Sequence, residues 1–256
     1  MCIESSVGRG GANKAPDVRT VQVLLNLNGA SALAVDGAIG DNTIRAIEAF
    51  EGQSLGMATP TGRVDPASPT LAALARGMPA GLSAEKIRGI MINATAAAVT
   101  RFGDRLVAKM AARAIDTPLR RAHFLAQVGH ESGELVFTEE IANGQAYEGR
   151  RDLGNTEPGD GPRFKGRGLI QLTGRANYQR YGTALGMDFL TGDNARRLAT
   201  DPDLAADVAC WFWTTHGLND LADRDDIEAI TRRINGGLNG FPDRQRQLTR
   251  AKFFLA

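Results

Sequence analysis

Cysteine, histidine, net charge and long apolar runs are all scarce in this chain, and each shortage removes a class of protein. Only 2 cysteines occur in 256 residues. Cys2 lies near the start and Cys210 inside the apolar run DVACWFW, so two reduced thiols are expected and a disulfide framework is not. No stretch approaches the roughly 18 consecutive apolar residues of a membrane span. MCIESSVGRGGANKAPD has no apolar centre such as a secretory leader carries. The expectation is a protein made in a cytoplasm, without stable membrane association. Lysine and arginine number 30 against 29 aspartates and glutamates, a net charge of +1 that offers nucleic acid no overall field. A zinc site built on three histidines would need His123, His130 and His216 together, and Glu134 stands where a His-Glu-x-x-His helix has its second histidine. No metal or other cofactor is expected.

What is present is an ordinary globular composition, 43% hydrophobic and 23% charged, enough for a small domain followed by a medium one. DVRTVQVLLNLNG (17–29) repeats apolar residues at Val18, Val21, Leu24 and Leu25 and closes on Gly29, which predicts a short amphipathic helix capped by Asp17. In VDGAIGDNTIRAIEAFEG a Val35-Asp36-Gly37 turn precedes a helix with Asp41 or Asn42 as cap and Ile44, Ile47 and Phe50 on one face. GRVDPASPTLAALARG, from residue 62, echoes that plan, so two turn-helix units are expected to pack together. GMPAGLS (77–83) is the candidate boundary. Beyond it helical periods dominate and no run of alternating strands occurs, which predicts an all-α protein with one small hairpin at most.

In TPLRRAHFLAQVGHESGE a threonine cap and a proline open a greasy helix that ends on Glu131. A carboxylate there meets the negative end of the helix dipole, and apolar neighbours such as Phe124 would add desolvation. Both effects favour a retained proton. Glu140 follows in a polar stretch where hydration leaves it ionised. Two carboxyls in contrasting surroundings suit glycosidic hydrolysis, although residue types alone favour the plainer reading of two surface glutamates beside a helix end. His130 reads as a capping or packing residue, and Ser132 lacks the flanking motif of a nucleophile. From Glu140 to Asn177 a long glycine-rich tract keeps anchors such as Tyr147, Phe164 and Leu172. Its Tyr147–Arg180 part carries 7 basic and 4 acidic residues, a modest attraction for an anionic polymer.

Residues 15 to 76 resemble the small helical peptidoglycan-binding module found beside cell-wall hydrolases, on Asp17-Val18, Gln22-x-Leu24-Leu25, Val35-Asp36-Gly37, Gly40, Thr43 and Ala49-Phe50, with Glu51 where that family has glutamine. From about residue 85 onward HESGE, Glu139-Glu140, YEGRRDLGNTEPGDGPRFKGRGLIQLTGRANY and ITRRINGGLNG resemble family 19 glycoside hydrolases, most of all the phage endolysins of that family. The resemblance implies a peptidoglycan-binding domain over 1–76, a linker over 77–83, and a lysozyme-like catalytic domain over 84–256 with a deep cleft. It implies Glu131 as general acid and Glu140 as general base, with Glu139 a close competitor, and Thr173 helping to hold the attacking water. Gln171, Asn177, Asn235, Arg244 and Tyr147 are the implied sugar contacts; packing is an equal reading for Tyr147, Trp211 and Trp213. The implied partner is bacterial peptidoglycan, cut by a monomeric enzyme that a holin-type pore releases to the periplasmic wall. A chitinase of the same family, a lytic transglycosylase and a non-catalytic wall binder are the alternatives.

Overall fold

The computed structural model describes residues 2–29 and 32–256. Helix α1 (Ala15–Leu27) buries Val18, Val21, Leu24 and Leu25, the face its periodicity marks. Its cap is Lys14 rather than Asp17. Asp17 sits in the first turn, where the helix dipole favours an anion, and accepts hydrogen bonds from the backbone N–H of Glu4 and Ser5, each at 3.0 Å, and from the Ser5 hydroxyl at 2.6 Å. Helix α2 (Asp41–Leu55) starts after Gly40, which replaces the expected side-chain cap. Gln22 reaches from α1 into the preceding turn: its amide donates to Asp36 Oδ1 at 2.9 Å and accepts from Gly37 N–H at 3.1 Å. Helix α3 (Pro69–Arg76) is capped by Ser68. Glu51, the residue that departs from the family pattern, is buried and accepts from Thr61 N–H, Gly62 N–H and Thr70 Oγ1, tying α2 to the second turn-helix unit. Strands β1 (Val7–Gly8) and β2 (Arg63–Val64) pair antiparallel across this module.

The rest is built from α4 (Ala84–Ile90), α5 (Ala96–Ala112), α6 (Pro118–Glu131), the short α7 (Asp160–Arg163), α8 (Arg175–Leu185), α9 (Arg197–Thr200), α10 (Pro202–Thr215), α11 (Leu218–Asp223), α12 (Ile227–Asn235) and α13 (Phe241–Leu255). The fold is therefore all-α in character. Beyond β2 strand pairing is confined, among the described residues, to single bridges at Glu139–Arg167 and Arg167–Leu172.

Two cores form. The larger runs without a break from Cys2, Val21 and Leu25 of the first module through Ile87, Leu106, Phe124 and Trp213 to Phe254. The smaller gathers Phe164, Leu172, Tyr178, Tyr181, Phe189 and Trp211. Helix α10 serves both: Ala205, Ala209 and Trp213 face the first, Leu204, Val208 and Trp211 the second. Both tryptophans are core residues, Trp213 edge-on to Phe124 with ring centroids 5.5 Å apart and Trp211 against Tyr181 at 5.2 Å.

The stretch 77–83 is a turn between α3 and α4, yet the helices on either side share one interior. Helix α4 packs on α1, α5 and α13. Gly89 makes the last contact possible, because a Cβ there would stand 2.5 Å from the Phe254 ring. Arg250 of α13 completes the junction: its guanidinium donates to Gly89 O at 2.5 Å, to Cys2 O at 3.3 Å, and to Thr20 Oγ1. One side chain thus joins the chain start, α1, α4 and α13. Cys2 and Cys210 are unpaired buried thiols, and burial pushes Cys2 up to about 11.

Candidate active site

Helix α6 carries the first candidate carboxyl. Thr117 caps it by accepting from Arg120 N–H at 3.2 Å, Pro118 opens it, and residues 122 to 129 are buried without exception. Alanines and a glycine let α13 approach: a Cβ on Gly129 would collide with the Gln247 amide. The helix ends on Glu131 because Ser132 Oγ turns back to Val128 O at 2.7 Å while accepting from Leu135 N–H at 2.8 Å. Ser132 is wholly buried in that role. Gly133, Glu134 and Leu135 then all take positive φ (57°, 57° and 70°), a left-handed turn costing about 1 kcal/mol at each non-glycine position.

Glu131 has a charged partner. Phe124 faces Trp213 in the core, and the neighbour of Glu131 is Arg244 from α13, whose Nη2 donates to Glu131 Oε1 at 2.5 Å. Nη1 of the same guanidinium donates to Gln127 Oε1. Gln127 and Glu131 are one turn apart on the same helix face, so a single planar fork grips both. Arg244 is 1% exposed. Expected among the sugar contacts, it is placed beneath the carboxylate and positions it. Oε2 of Glu131 has no hydrogen bond among the described residues, and the side chain is 19% exposed. His130 packs, as its neighbours suggested: Nδ1 lies 2.7 Å from Asp243 Oδ2, and the ring lies against Gly240. Burial works against the Asp243 charge, but His130 and Gln247 hold its carboxyl below the ordinary range.

The second carboxyl is held by loops. Glu140 N–H donates to Gly166 O at 2.9 Å, Gly166 N–H returns to Glu140 Oε2 at 3.1 Å, and the Tyr147 hydroxyl donates to Oε1 at 3.1 Å. Burial and then the charge of Glu140 push the Tyr147 phenol upward, which keeps it a donor. Glu139 has cationic partners instead, Arg167 Nε at 2.9 Å and Lys165 Nζ at 3.6 Å. Arg167 is itself buried and also donates to Arg163 O at 2.6 Å and Tyr178 Oη at 3.2 Å. Glu139 is therefore committed to an internal ion pair, while the Glu140 carboxylate accepts, among the described residues, from neutral donors only, Lys165 Nζ reaching its backbone carbonyl at 2.9 Å instead.

The remaining candidates divide between the two carboxyls. At Gly166 a Cβ would meet Gln171 Oε1 at 2.9 Å and Glu140 Oε2 at 3.3 Å, so that amide and that carboxylate border the same space. Gln171, itself at φ 55°, is followed by a relay in which Thr173 Oγ1 donates to Gln171 O at 2.9 Å and Asn177 Nδ2 to Thr173 O at 2.8 Å. Asn235 belongs to the other side. It ends α12, exposed, with Nδ2 3.5 Å from Asn239 O, which also accepts from Arg244 Nε at 3.4 Å. Val136, Phe137 and Ile141, between and just past the two carboxyls, are 55%, 44% and 84% exposed.

Sequence reasoning missed the supports. Asn155 is buried and donates to Tyr147 O at 2.9 Å while accepting from Arg175 N–H at 2.8 Å. Asp160 receives Arg175 as a fork at 2.6 and 2.7 Å, so that despite burial its carboxyl lies below the ordinary range. Asp-Gly-Pro and Gly-Arg-Ala mark these positions as turns, but nothing local pairs them.

Residues 95–239 match the family model described as chitinase class I of glycoside hydrolase family 19, and residues 14–74 match a peptidoglycan binding domain model. A glycosyl hydrolase family 19 domain-containing protein of Haemophilus influenzae is 34% identical over 49% of this chain and 75% of its own length. An endochitinase of Arabidopsis thaliana is 38% identical over 45% of this chain, which spans only 39% of that protein. Chitinase C from Streptomyces griseus superposes with a TM-score of 0.56 at 24% identity, over 68% of this chain and 92% of that one, a likeness of fold. A class IV chitinase from Zea mays gives 0.52 at 23% identity, over 66% and 88%. With more than half its length matched, the chain belongs to glycoside hydrolase family 19, its catalytic region preceded by a peptidoglycan-binding domain.

Proposed function

We propose that the protein hydrolyses β-1,4 bonds of the peptidoglycan glycan strand by single displacement, as the muramidase-type endolysin of a phage. The observation that carries the reading is the unequal support of the two carboxyls. Glu131 has one oxygen engaged by Arg244, which leaves Oε2 as the atom to carry and deliver a proton to the leaving oxygen. Glu140, held by Tyr147 and Gly166, is fit to take a proton from water attacking the opposite face of the sugar. Thr173 orients that water, and Gln171, Asn177 and Asn235 offer carboxamides to hydroxyl and acetamido groups. The peptidoglycan-binding domain favours the bacterial wall as substrate. The enzyme acts in the periplasm after export through a holin-type pore. Chitin is the second reading, since the plant relatives are named endochitinases.

Digestion of purified sacculi, with the new reducing ends identified by mass spectrometry after borohydride reduction, tests this. Reduced muramic acid at the ends of strands is expected. Anhydro ends would indicate a transglycosylase, and cleavage of chitotetraose with intact sacculi would indicate a chitinase. Retention of anomeric configuration would overturn single displacement.

A further inference from the structure

Arg167, which pairs with Glu139, also lines a cavity of about 520 Å³ that neither candidate catalytic carboxyl borders. Two more guanidinium groups, Arg163 and Arg196, line the same space, with Asp193 the only carboxylate among its residues. Arg163 has no carboxylate partner among the described residues; its Nη2 donates to Gly192 O at 2.9 Å. Arg196 is exposed on a short 3-10 turn (Asn194–Arg196), and its side chain forms no hydrogen bond or ion pair among the described residues. The nearby Asp188 is spent on its own loop, accepting from Leu190 N–H at 2.7 Å and Thr191 N–H at 3.2 Å.

Arg167 is paired with Glu139, so the positive charge in excess at this concavity is that of Arg163 and Arg196 against the single Asp193. Planar forks of this kind match the two oxygens of a carboxylate or phosphate. Arg167, which lines the cavity, is one ion pair and one residue from Glu140, which connects the cavity to the loop that carries the proposed base.

We propose that Arg163 and Arg196, beside the Glu139-paired Arg167, form an oxyanion subsite for a carboxylate of the substrate's peptide stems. The proposal rests on the reading of peptidoglycan as substrate and deepens it. Chitin carries no such group, so the subsite would select wall glycan over a neutral one.

The test uses the full-length protein and its Arg196→Glu and Arg196→Ala variants on three substrates: sacculi with stems, glycan strands stripped of stems by an amidase, and chitotetraose. Arg196→Glu is expected to raise KM for stem-bearing sacculi about tenfold, with a smaller rise for Arg196→Ala. KM for stripped strands should stay within twofold. An equal rise on stripped strands, or none on either, overturns the subsite. A binding arm is independent of turnover. In a Glu131→Gln background, disaccharide tetrapeptide should bind more tightly than the disaccharide alone, and Arg196→Glu should erase the difference. If the wild type cleaves no glycan the proposed activity falls, while this arm still decides the subsite. Walls treated with hydrofluoric acid to remove phosphate polymers should keep the Arg196 effect. Its loss there would show phosphate, not a stem carboxylate, to be the ligand and would overturn the proposal.

Discussion

Glu131 and Glu140 stand nine positions apart in sequence but rest on differently made parts of the molecule. The first ends a long helix whose buried face belongs to the larger core, and its carboxylate is fixed by a buried arginine from another helix. The second is on a loop, tied by hydrogen bonds to Tyr147 and to Gly166, and the flanks of Gly166, Phe164 and Leu172, enter the smaller core. One carboxyl is positioned by packing, the other by a polar network. Packing spreads its restraint over many small contacts, so single changes around it are felt through stability. A network concentrates restraint in few bonds, so single changes are felt at the site itself.

The widest test of this contrast reaches the first carboxyl from the far end of its core. Deleting residues 2–76 removes Val21, Leu25 and their neighbours from the interior that holds α6, and strips Arg250 of Thr20. Activity on a short soluble fragment is therefore expected to fall to background along with the thermal transition. Retention of that activity would show the two modules to be independent despite the shared core. Glu131→Gln follows. It preserves shape, so the melting temperature should hold, while loss of the proton donor removes roughly 10²- to 10⁴-fold of kcat. An unchanged kcat would remove Glu131 from the mechanism.

Arg244→Met separates packing from charge. It leaves Glu131 and Gln127 without their shared donor, and breaking a buried pair from one side costs about 3–5 kcal/mol. Chemical denaturation should show a loss of that order together with reduced kcat. Arg244→Lys, which keeps the charge but loses the fork, should recover stability more than activity.

How legible each part was follows the same division. The end of α6, its threonine cap, its apolar face and the turn at Ser132 are local, written in side chains three or four apart, and Glu131 stands where that pattern puts it. What surrounds Glu131 is not local. Arg244 lies 113 residues on, so its pairing with Glu131 had no local signal to announce it. Asp17 shows the same limit on a small scale, since a carboxylate near a helix start reads as a cap until the chain end arrives to use it. On the loop side the glycines and the Glu-Glu pair were visible, but the preference between Glu139 and Glu140 depends on Arg167, 28 residues from its partner, and on Tyr147, seven residues from its own across an irregular loop with no periodic signal.

Acid should strike the polar network first. With Arg175 beside it, Asp160 has a folded-state pKa below its unfolded value, so the stability it contributes is present above the ordinary carboxylate range and is lost as pH falls through the lowered value. Amide exchange in residues 145 to 178 is expected to rise below about pH 4, ahead of exchange in α6. Arg175→Gln should move that onset upward. Simultaneous opening of both regions would mean that the smaller core is not a separate unit.

The smallest effect, and the most discriminating, is expected from Tyr147→Phe. It deletes one neutral hydrogen bond, that of the phenol to Glu140 Oε1, and leaves Gly166 N–H on Oε2. Such a bond contributes about 0.5–1.5 kcal/mol, which corresponds to a two- to tenfold fall in kcat if Glu140 is the base. The change should appear in kcat more than in KM, and the acidic limb of the pH–rate profile should shift upward, because a carboxylate that loses a donor holds its proton more tightly. Glu139→Gln is the counterpart. It breaks the ion pair with Arg167, a buried guanidinium with other partners, so it should lower the melting temperature and leave the pH limb where it was. If Glu139→Gln abolishes activity and with it the acidic limb, while Tyr147→Phe leaves the limb in place, the base is Glu139, and the ion pair with Arg167 rather than the hydrogen bond from Tyr147 tunes it.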